Sequence, residues 1–501
     1  MTNNKIIYVI SFFSGFLSLA QEIIWMRFIS FVGMSVPQTF SYTLALFLIG
    51  IAIGAQIGKK ICNKNKELKL DFLGKIFFIA ALTDVLLILL VYAYSHFFSP
   101  SILLLGLCVV VCAAVRGIIF PMVHHVGTVT SKTGSQISNV YFSNVFGSAL
   151  APLMISFIAL DYLNTQQVYL LICLLTLMVA SLCMEKNKSK LVCFIFVFFS
   201  IFLIKLPEKL FYEFSKHTYQ ENTYPNMILE NKHGIIQVYD EKKDKIIFGA
   251  NVYDGKLNTD IFHNSNGIDR AYLLTALKPR AEQVLVIGLS TGSWAKVLSL
   301  MPSIKKMTII EINPNYINLI KMNPEVKGLL DDPRVEVVID DGRKWLKKND
   351  NQKFDIILMN TTWHWRAYSS NLLSRNFIQI IHDRLNKTGL AFYNTTQSMN
   401  AYATAHQVFP YVYQYKFFAL GANRPQRVNL TEIKNNLCLL KDPLTKSAVF
   451  SNKAQCQKAA EVITENTLIP YEVIKFNQKN RDLEVITDDN MITEFKYGKG
   501  L

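Results

Sequence analysis

A glycine-containing turn between two apolar runs has the residue types that bind a nucleoside. Residues 284–292 read Val-Leu-Val-Ile-Gly-Leu-Ser-Thr-Gly, so that Gly288, Ser290 and Gly292 directly follow an apolar run. A second apolar run ends at Glu311. Gly288 allows a tight turn next to a ligand, and Glu311 can accept hydrogen bonds from both hydroxyls of a ribose. The spacing predicts a strand, a turn, a helix and a second strand that ends in a ribose-binding carboxylate.

A third apolar run is followed by Asp340, Asp341 and Gly342. A carboxylate or a backbone N–H at this position can read the amino group and ring nitrogen of an adenine. Because ligands of parallel sheets bind at the carboxyl ends of the strands, we expect these features to meet at one site. We therefore predict nucleoside binding. The alternative is a structural turn with solvated carboxylates.

The segment after the fourth predicted strand concentrates polar and aromatic side chains. It reads Asn-Thr-Thr-Trp-His-Trp-Arg from Asn360 to Arg366. Histidine titrates near neutral pH, which makes His364 a candidate general base. Arg366 can hold an anionic acceptor. The alternatives are a packed loop histidine and an arginine paired with the acidic edge of the sheet. We expect Asn360, His364 and Arg366 to face a second substrate.

The elements that position these residues follow from the apolar pattern. Runs without period-two alternation predict strands covered on both faces, and the segments between them read as helices. The predicted strands are Val284–Ile287, Met307–Ile312, Val335–Ile339, Phe354–Met359 and Leu390–Asn394. A helix at Asp269–Leu277 and a β-hairpin of Ile235–Tyr239 and Lys245–Val252 come before them. This order predicts a doubly wound, Rossmann-type α/β domain after an N-terminal hairpin region.

The first 206 residues read as a membrane domain. Six apolar blocks are long enough to span a bilayer as helices, and a seventh, Leu191–Ile204, is marginal. The six blocks are residues 6–33, 38–58, 72–97, 101–123, 137–160 and 165–184. We therefore divide the chain into a transmembrane domain (1–206), a hairpin region with a lead-in helix (207–280), a Rossmann domain (281–425) and a C-terminal extension (426–501).

Positive charge in the loops indicates the orientation of the blocks. Lysines cluster after block two, including Lys66, and after block six, including Lys186, so the N-terminus is predicted to be cytoplasmic, as in a multi-pass inner-membrane protein. If block seven lies in the interface, the soluble domain is also cytoplasmic, where a nucleoside cosubstrate is available. If block seven spans, the domain faces outward, and Cys438 and Cys456 could then form a disulfide. We favour the cytoplasm because of cosubstrate supply, which predicts two free thiols.

The net charge of +15 is explained by these loops and a membrane-facing basic surface. No basic stripe with interleaved aromatic residues indicates nucleic-acid binding. No CxxC pair is present, which argues against a zinc site.

Four charged residues lie inside the apolar blocks: Glu22, Arg27, Asp84 and Arg116. They predict either structural pairs between helices or a polar site for an amphiphilic acceptor.

The soluble half resembles the spermidine synthase family, the aminopropyltransferases. The matching motifs are Val284-Leu-Val-Ile-Gly288, Glu311-Ile-Asn, Asp332-Pro-Arg-Val, Asp341-Gly-Arg, Phe354-Asp-Ile-Ile, Leu373-Ser-Arg-Asn-Phe377, His233-Gly-Ile-Ile-Gln-Val and Tyr253-Asp254-Gly255. The membrane half resembles the membrane-fused relatives of that family at Ser14-Gly15, Glu22-Ile-Ile-Trp25-Met-Arg27 and Phe47-Leu-Ile-Gly50-Ile-Ala-Ile-Gly54. The resemblance implies a class I methyltransferase-like fold and S-adenosylmethionine or its decarboxylated form as cosubstrate, without a metal.

Three departures from the family pattern affect the second substrate. Thr291 stands where the family has an aspartate in its glycine turn, and Asn360 stands where the family has its catalytic aspartate. Gly267-Ile-Asp269 replaces the family's Tyr-His-Glu. The resemblance therefore implies a retained nucleoside site and a rebuilt acceptor site. It favours aminopropyl transfer to an amine. Methyl or alkyl transfer to a membrane-associated acceptor, a non-catalytic nucleoside-binding or transport role, and a homodimer remain open.

Overall fold

The computed structural model describes residues 2–65, 67–128, 134–184, 187–202, 209–360, 362–478 and 482–501. It divides into two compact units, Met1–Gln237 with Leu501, and Val238–Gly500. The division therefore falls after Gln237. The boundary expected at 206/207 lies outside the described residues, as do Lys66, Lys186 and the last two residues of block seven.

The first unit consists mainly of long helices. They are α1 (Thr2–Val32), α2 (Gln38–Lys64), α3 (Leu70–Phe97), α4 (Ile102–Gly127), α5 (Gly134–Met154), α6 (Thr165–Cys183), α7 (Asn187–Phe202) and α8 (Leu210–Ser215), followed by strand β1 (Met227–Asn231). Beyond α5 the helix continues through a π-helical stretch, Ile155–Ala159, into the turn Leu160–Tyr162. Within the described part, six helices are long and apolar enough to cross a membrane, and they match the six blocks. Helix α7 has only 16 residues there.

Helices α2 and α4 pack closely because glycines line their contact. A Cβ on Gly54 would lie 2.0 Å from the carbonyl oxygen of Ala114, so no larger residue fits at this position. Small residues at such contacts let helix backbones approach each other where lipid provides no hydrophobic driving force.

The charges inside the helices are mostly paired. Asp84 forms an ion pair with Arg116 between α3 and α4, and its carboxylate also accepts from Cys112. Arg27 lies 3.4 Å from Glu230. Pairing between helices is therefore confirmed for Asp84 and Arg116, whereas Arg27 pairs with a residue of strand β1. Glu22, 6% exposed, has no ion-pair partner among the described residues.

The second unit is built on an eight-stranded mixed sheet in the order β12-β10-β11-β9-β8-β5-β6-β7. Its strands are β5 (Gln283–Ile287), β6 (Lys306–Glu311), β7 (Val335–Ile339), β8 (Phe354–Met359), β9 (Leu385–Asn394), β10 (Tyr411–Tyr415), β11 (Phe418–Ala422) and β12 (Ile469–Pro470). Strands β5 to β9 pair in parallel, as predicted. Strands β10 to β12 add an antiparallel edge that the sequence pattern did not predict.

Helices cover this sheet: α9 (Asp269–Leu277), α10 (Ser293–Ser299), α11 (Asn315–Lys321), α12 (Pro324–Lys327), α13 (Gly342–Lys348), α14 (Ser370–Leu373), α15 (Arg375–Asp383), α16 (Met399–His406), α17 (Leu430–Leu437), α18 (Lys453–Thr464) and α19 (Tyr471–Asn477). The side chains of Val284, Leu285 and Val286 are all buried, so both faces of β5 are in the core. The chain order reverses between β5 and β8. Ligands of α/β sheets bind at such a switch point.

A smaller antiparallel arrangement precedes the large sheet. Strand β2 (Gly234–Glu241) neighbours β3 (Asp244–Gly249), and β3 pairs with β4 (Val252–Leu257). The predicted hairpin is therefore present, and β4 extends it toward the end of β5.

Cys438 and Cys456 form a disulfide between the end of α17 and α18. This differs from the two free thiols expected of a cytoplasmic domain. Disulfides persist mainly in oxidising compartments, which is the setting assumed by the alternative, outward placement.

Candidate functional site

A cavity of about 220 Å³ opens at the carboxyl ends of β5, β6, β7 and β8, and we call it the strand-end cavity. Six of the seven residues predicted to bind a nucleoside line it: Gly288, Ser290, Glu311, Asp340, Asp341 and Gly342. The seventh, Gly292, is not among the lining residues. A Cβ there would lie 2.7 Å from the Ile320 side chain, so Gly292 serves close packing.

The turn after β5 requires glycine at its first position. Gly288 has φ +87°, and a Cβ there would lie 2.5 Å from the carbonyl oxygen of Asn360. The turn therefore passes directly against the end of β8. Ser290 also has a positive φ, +47°, which is costly for a side chain with a Cβ and marks a strained position next to the cavity.

Glu311 ends β6 with its carboxylate held by backbone N–H groups. One oxygen accepts from Leu289 at 2.7 Å and the other from Asn313 at 2.8 Å. The side chain is 5% exposed, and burial raises its pKa to about 7. The nearby charge of Asp254 acts in the same direction, while the backbone N–H groups lower the pKa. The carboxylate is thus rigidly oriented at the cavity wall and can accept further hydrogen bonds.

Asp340 and Asp341 have structural partners as well as places in the cavity. Asp341 caps α13 by accepting from the backbone N–H of Lys344 at 2.7 Å. Asp340 pairs with the Lys344 ammonium at 2.8 Å, and this hydrogen bond lowers the pKa of Asp340. The cap fixes the backbone at Asp341 and Gly342, where an adenine would be read.

A second cavity, of about 360 Å³, lies beside the first and is bounded by the loops that follow β4, β8 and β9. We call it the loop cavity. It shares Asp254, Ser290, Asn360 and Thr362 with the strand-end cavity. Polar and aromatic side chains make up most of the remaining wall: Ser265, Asn266, Arg270, Trp294, Trp363, Asn394, Thr396, Gln397, Lys416 and Phe417.

Asp254 is the carboxylate at the junction of the two cavities. Its Oδ2 accepts from the Ser290 hydroxyl at 2.9 Å and from the Tyr316 phenol at 2.7 Å. Its Oδ1 accepts no hydrogen bond from the described residues. Burial raises the pKa of this carboxyl, and the two hydrogen bonds and the charge of Arg366 lower it. No role was expected for Asp254 from the sequence, because strand β4, which carries it, precedes the whole sheet.

The three residues predicted to face the acceptor have different positions. Asn360 lines both cavities. Arg366 lines the strand-end cavity and donates to the Thr362 hydroxyl at 2.8 Å. His364 lines neither cavity, and its Nδ1 lies 2.9 Å from the hydroxyl of Thr396. The structure therefore places Asn360 and Arg366 at the cavities and His364 outside the residues that line them.

Thr291, at the position of the family's turn aspartate, is turned into the protein. It is 2% exposed, and its hydroxyl donates to Ser293 at 3.0 Å. Neither cavity is lined by it. The carboxylate next to the turn is therefore supplied by Asp254 instead.

Residues 272–418 match the model of the spermine/spermidine synthase domain, which confirms the resemblance inferred from the sequence for this part of the chain. Polyamine aminopropyltransferase from Bacillus subtilis (strain 168) is 34% identical over 113 residues, which cover 22% of this chain and 40% of that protein. The same enzyme from Thermococcus onnurineus (strain NA1) is 27% identical over 155 residues, which cover 29% of this chain and 54% of that protein. The chain thus spans about half the length of these relatives.

Two solved spermidine synthases are also similar. One is in complex with the transition-state analogue AdoDATO, and the other is from Thermotoga maritima. Each is 16% identical, over 54% of this chain and 84% of the other, with TM-scores of 0.35 and 0.34.

Proposed function

We propose that this chain, whose residues 272–418 match a spermine/spermidine synthase domain, is a membrane-anchored transferase that moves the aminopropyl group of decarboxylated S-adenosylmethionine to an amine. The six apolar helices anchor it in a lipid bilayer. Its other partner in this proposal is a small or membrane-associated amine.

The observation that carries the proposal is the meeting of two cavities at Asp254 and Asn360. Group transfer needs a donor and an acceptor side by side, with their reacting atoms close together. A donor with its ribose on Glu311 and its adenine at Asp341 has its sulfonium at the junction. The acceptor then approaches from the loop cavity.

The chemistry at the junction is a single displacement. The acceptor amine attacks the aminopropyl carbon that is bonded to the sulfonium. The bond from that carbon to sulfur breaks, and its electron pair stays on sulfur to give 5′-methylthioadenosine. The amine nitrogen loses a proton during this step. The Asp254 carboxylate, with Oδ1 unoccupied by described residues, accepts that proton and releases it to solvent.

Methyl or alkyl transfer from S-adenosylmethionine to a membrane-associated acceptor is the second candidate, because the residues around Glu311 and Asp341 could hold the nucleoside of either donor. Methyl transfer would release S-adenosylhomocysteine. Transfer of the aminocarboxypropyl group would release 5′-methylthioadenosine, but from S-adenosylmethionine, so the donor consumed and the nucleoside released together distinguish the candidates. A non-catalytic nucleoside-binding role would release neither.

Calorimetry on the detergent-solubilised full chain tests the nucleoside site. We expect 5′-methylthioadenosine to bind wild type and Glu311→Ala to weaken it at least about tenfold, since a hydrogen bond to a charged group contributes roughly 1.5–3 kcal/mol. Glu336→Ala, at an exposed glutamate of β7, is the matched control and should bind as wild type does. Equal affinity of wild type and Glu311→Ala for every adenosyl nucleoside would contradict the proposal.

A further inference from the structure

The loop cavity has charges of opposite sign on its wall. Asp254 is its one carboxylate among the described lining residues, and Arg270 and Lys416 are its cations. Lys416 is already neutralised, because its ammonium lies 2.7 Å from the buried carboxylate of Asp269. The remaining charges are therefore the Asp254 carboxylate at the junction and the Arg270 guanidinium.

Arg270 is held rigidly with part of its guanidinium unused. Its Nε donates to the carbonyl of Gly267 and its Nη2 to the carbonyl of Asn266, both at 2.9 Å. The guanidinium carbon lies 4.7 Å from the ring centroid of Trp294 and 4.8 Å from that of Phe418. Nη1 donates to no described residue. A fixed guanidinium with free N–H groups in a cavity is suited to an anion.

A diamine does not fit this wall. Both of its ends are cations and need carboxylates, but only Asp254 is available, and the second ammonium would approach Arg270. We infer that the acceptor is a short aminoalkyl anion, with its amine at Asp254 and its carboxylate or phosphate at Arg270. This inference rests on the proposed transferase function and specifies the acceptor of that same site.

Four compounds of related shape test the inference. Putrescine, 4-aminobutyrate and butylamine share a four-carbon chain and differ only in the far group, which is a cation, an anion or a methyl. O-phosphoethanolamine carries a phosphate in place of the carboxylate and represents an aminoalkyl anion of the kind found in phospholipid headgroups. The full chain, saturated with decarboxylated S-adenosylmethionine, is assayed for labelled aminopropyl product. We expect an aminoalkyl anion to exceed both putrescine and butylamine in kcat/KM at least about tenfold.

Variants assign the preference to Arg270. Arg270→Gln should remove the preference for the anion over butylamine, and Arg270→Lys should keep part of it. Arg280→Gln, at an exposed arginine outside both cavities, is the matched control and should keep the preference in full. Binding of 5′-methylthioadenosine should be unchanged in Arg270→Gln, which shows that the variant is folded.

The outcomes separate this inference from the proposed function. Turnover that favours putrescine, or a preference for anions that survives Arg270→Gln, overturns the inference and leaves the transferase standing. Preference for 4-aminobutyrate over O-phosphoethanolamine identifies a free amino acid as the source, and the reverse identifies a phosphate headgroup. Donor that is bound but not consumed with any of the four compounds overturns the proposed transfer and this inference together.

Discussion

The phenol of Tyr316 donates a 2.7 Å hydrogen bond to Oδ2 of Asp254. This contact joins helix α11 to strand β4 and fixes a carboxylate between two cavities. Burial keeps the pKa of Tyr316 well above its ordinary value, so the phenol remains a donor at neutral pH. The relationship defines how Asp254 presents its other oxygen to a substrate.

The variant Asp254→Asn tests whether the Asp254 carboxylate accepts the proton of the acceptor amine. We expect kcat for the preferred amine to fall roughly 10²–10⁴-fold, because a positioned base contributes that much to proton transfer. The affinity for 5′-methylthioadenosine should stay close to that of wild type. Asp350→Asn, at an exposed aspartate, is the control for the same chemical change. An unchanged kcat in Asp254→Asn would assign the proton to another group.

The pH profile gives a second readout of the same residue. Burial raises the pKa of Asp254, and only the ionised carboxylate can accept a proton. The rate should therefore rise with pH as the carboxyl ionises, and this ascending limb should be absent from the residual activity of Asp254→Asn. The same limb in both proteins would show that a different group titrates.

Glu311 should make nucleoside binding depend on pH near neutrality. Burial raises its pKa to about 7, and the ionised form is the better acceptor for two ribose hydroxyls. Binding therefore favours loss of the proton, so affinity for 5′-methylthioadenosine should fall by up to about tenfold per pH unit below the pKa and level off above it. Calorimetry from about pH 5.5 to about pH 8.5 measures this.

The matched variant for this dependence is Glu311→Gln. It keeps the size of the side chain and does not titrate. We expect weaker binding with a flat profile over the same range. A flat profile in wild type would mean that Glu311 stays in one protonation state throughout.

Asn360→Asp should broaden the acceptor range. Asn360 lines both cavities, so the new carboxylate would pair with an ammonium that Asp254 cannot reach. We expect transfer to putrescine to rise at least about tenfold. His364→Ala is the comparison, because His364 lies outside both cavities and should affect putrescine transfer little. Loss of turnover in His364→Ala would restore histidine as the candidate base.

The disulfide makes a prediction about the side of the membrane. Because Cys438 and Cys456 are joined, we expect the second unit to face an oxidising compartment, with α7 as a seventh span. Intact cells treated with an impermeant reductant and then an impermeant maleimide should gain two labels. The double variant Cys438→Ser/Cys456→Ser should gain none.

Absence of labelling in wild type, with both thiols free after lysis, would contradict the outward placement and support the cytoplasmic one. The outward result would mean that a donor reaches the domain from outside the cytoplasm. Reduction should also lower stability by roughly 3 kcal/mol, because the bond closes a loop of 18 residues.

The sequence predicted the parallel strands closely because each is an apolar run that ends at a polar residue. Val335–Ile339 and Phe354–Met359 have the same bounds in the structure. The antiparallel edge was not predicted. Strand β12 has only two residues, and its pairing with β10 joins segments that are distant in sequence, so local periodicity cannot detect it.

The positions of the candidate site residues were predicted in part, for a related reason. Residues at strand ends, such as Glu311, have positions fixed by the sheet. The direction of a loop side chain is not fixed by its position in the sequence, so His364 was grouped with Asn360 although it points elsewhere. Asp254 carries no signal except the Tyr253-Asp254-Gly255 motif. Its role depends on a hairpin placed against the glycine turn by tertiary packing.

The most direct test of the transferase is the nucleoside formed during turnover. The purified full chain is incubated with decarboxylated S-adenosylmethionine or S-adenosylmethionine, with and without 4-aminobutyrate, and the nucleosides are read by mass spectrometry. We expect 5′-methylthioadenosine from the decarboxylated donor, dependent on the amine and strongly reduced in Asp254→Asn. S-adenosylhomocysteine from the intact donor would indicate methyl transfer instead. Unconsumed donor in every reaction would contradict the proposal that the protein is an enzyme.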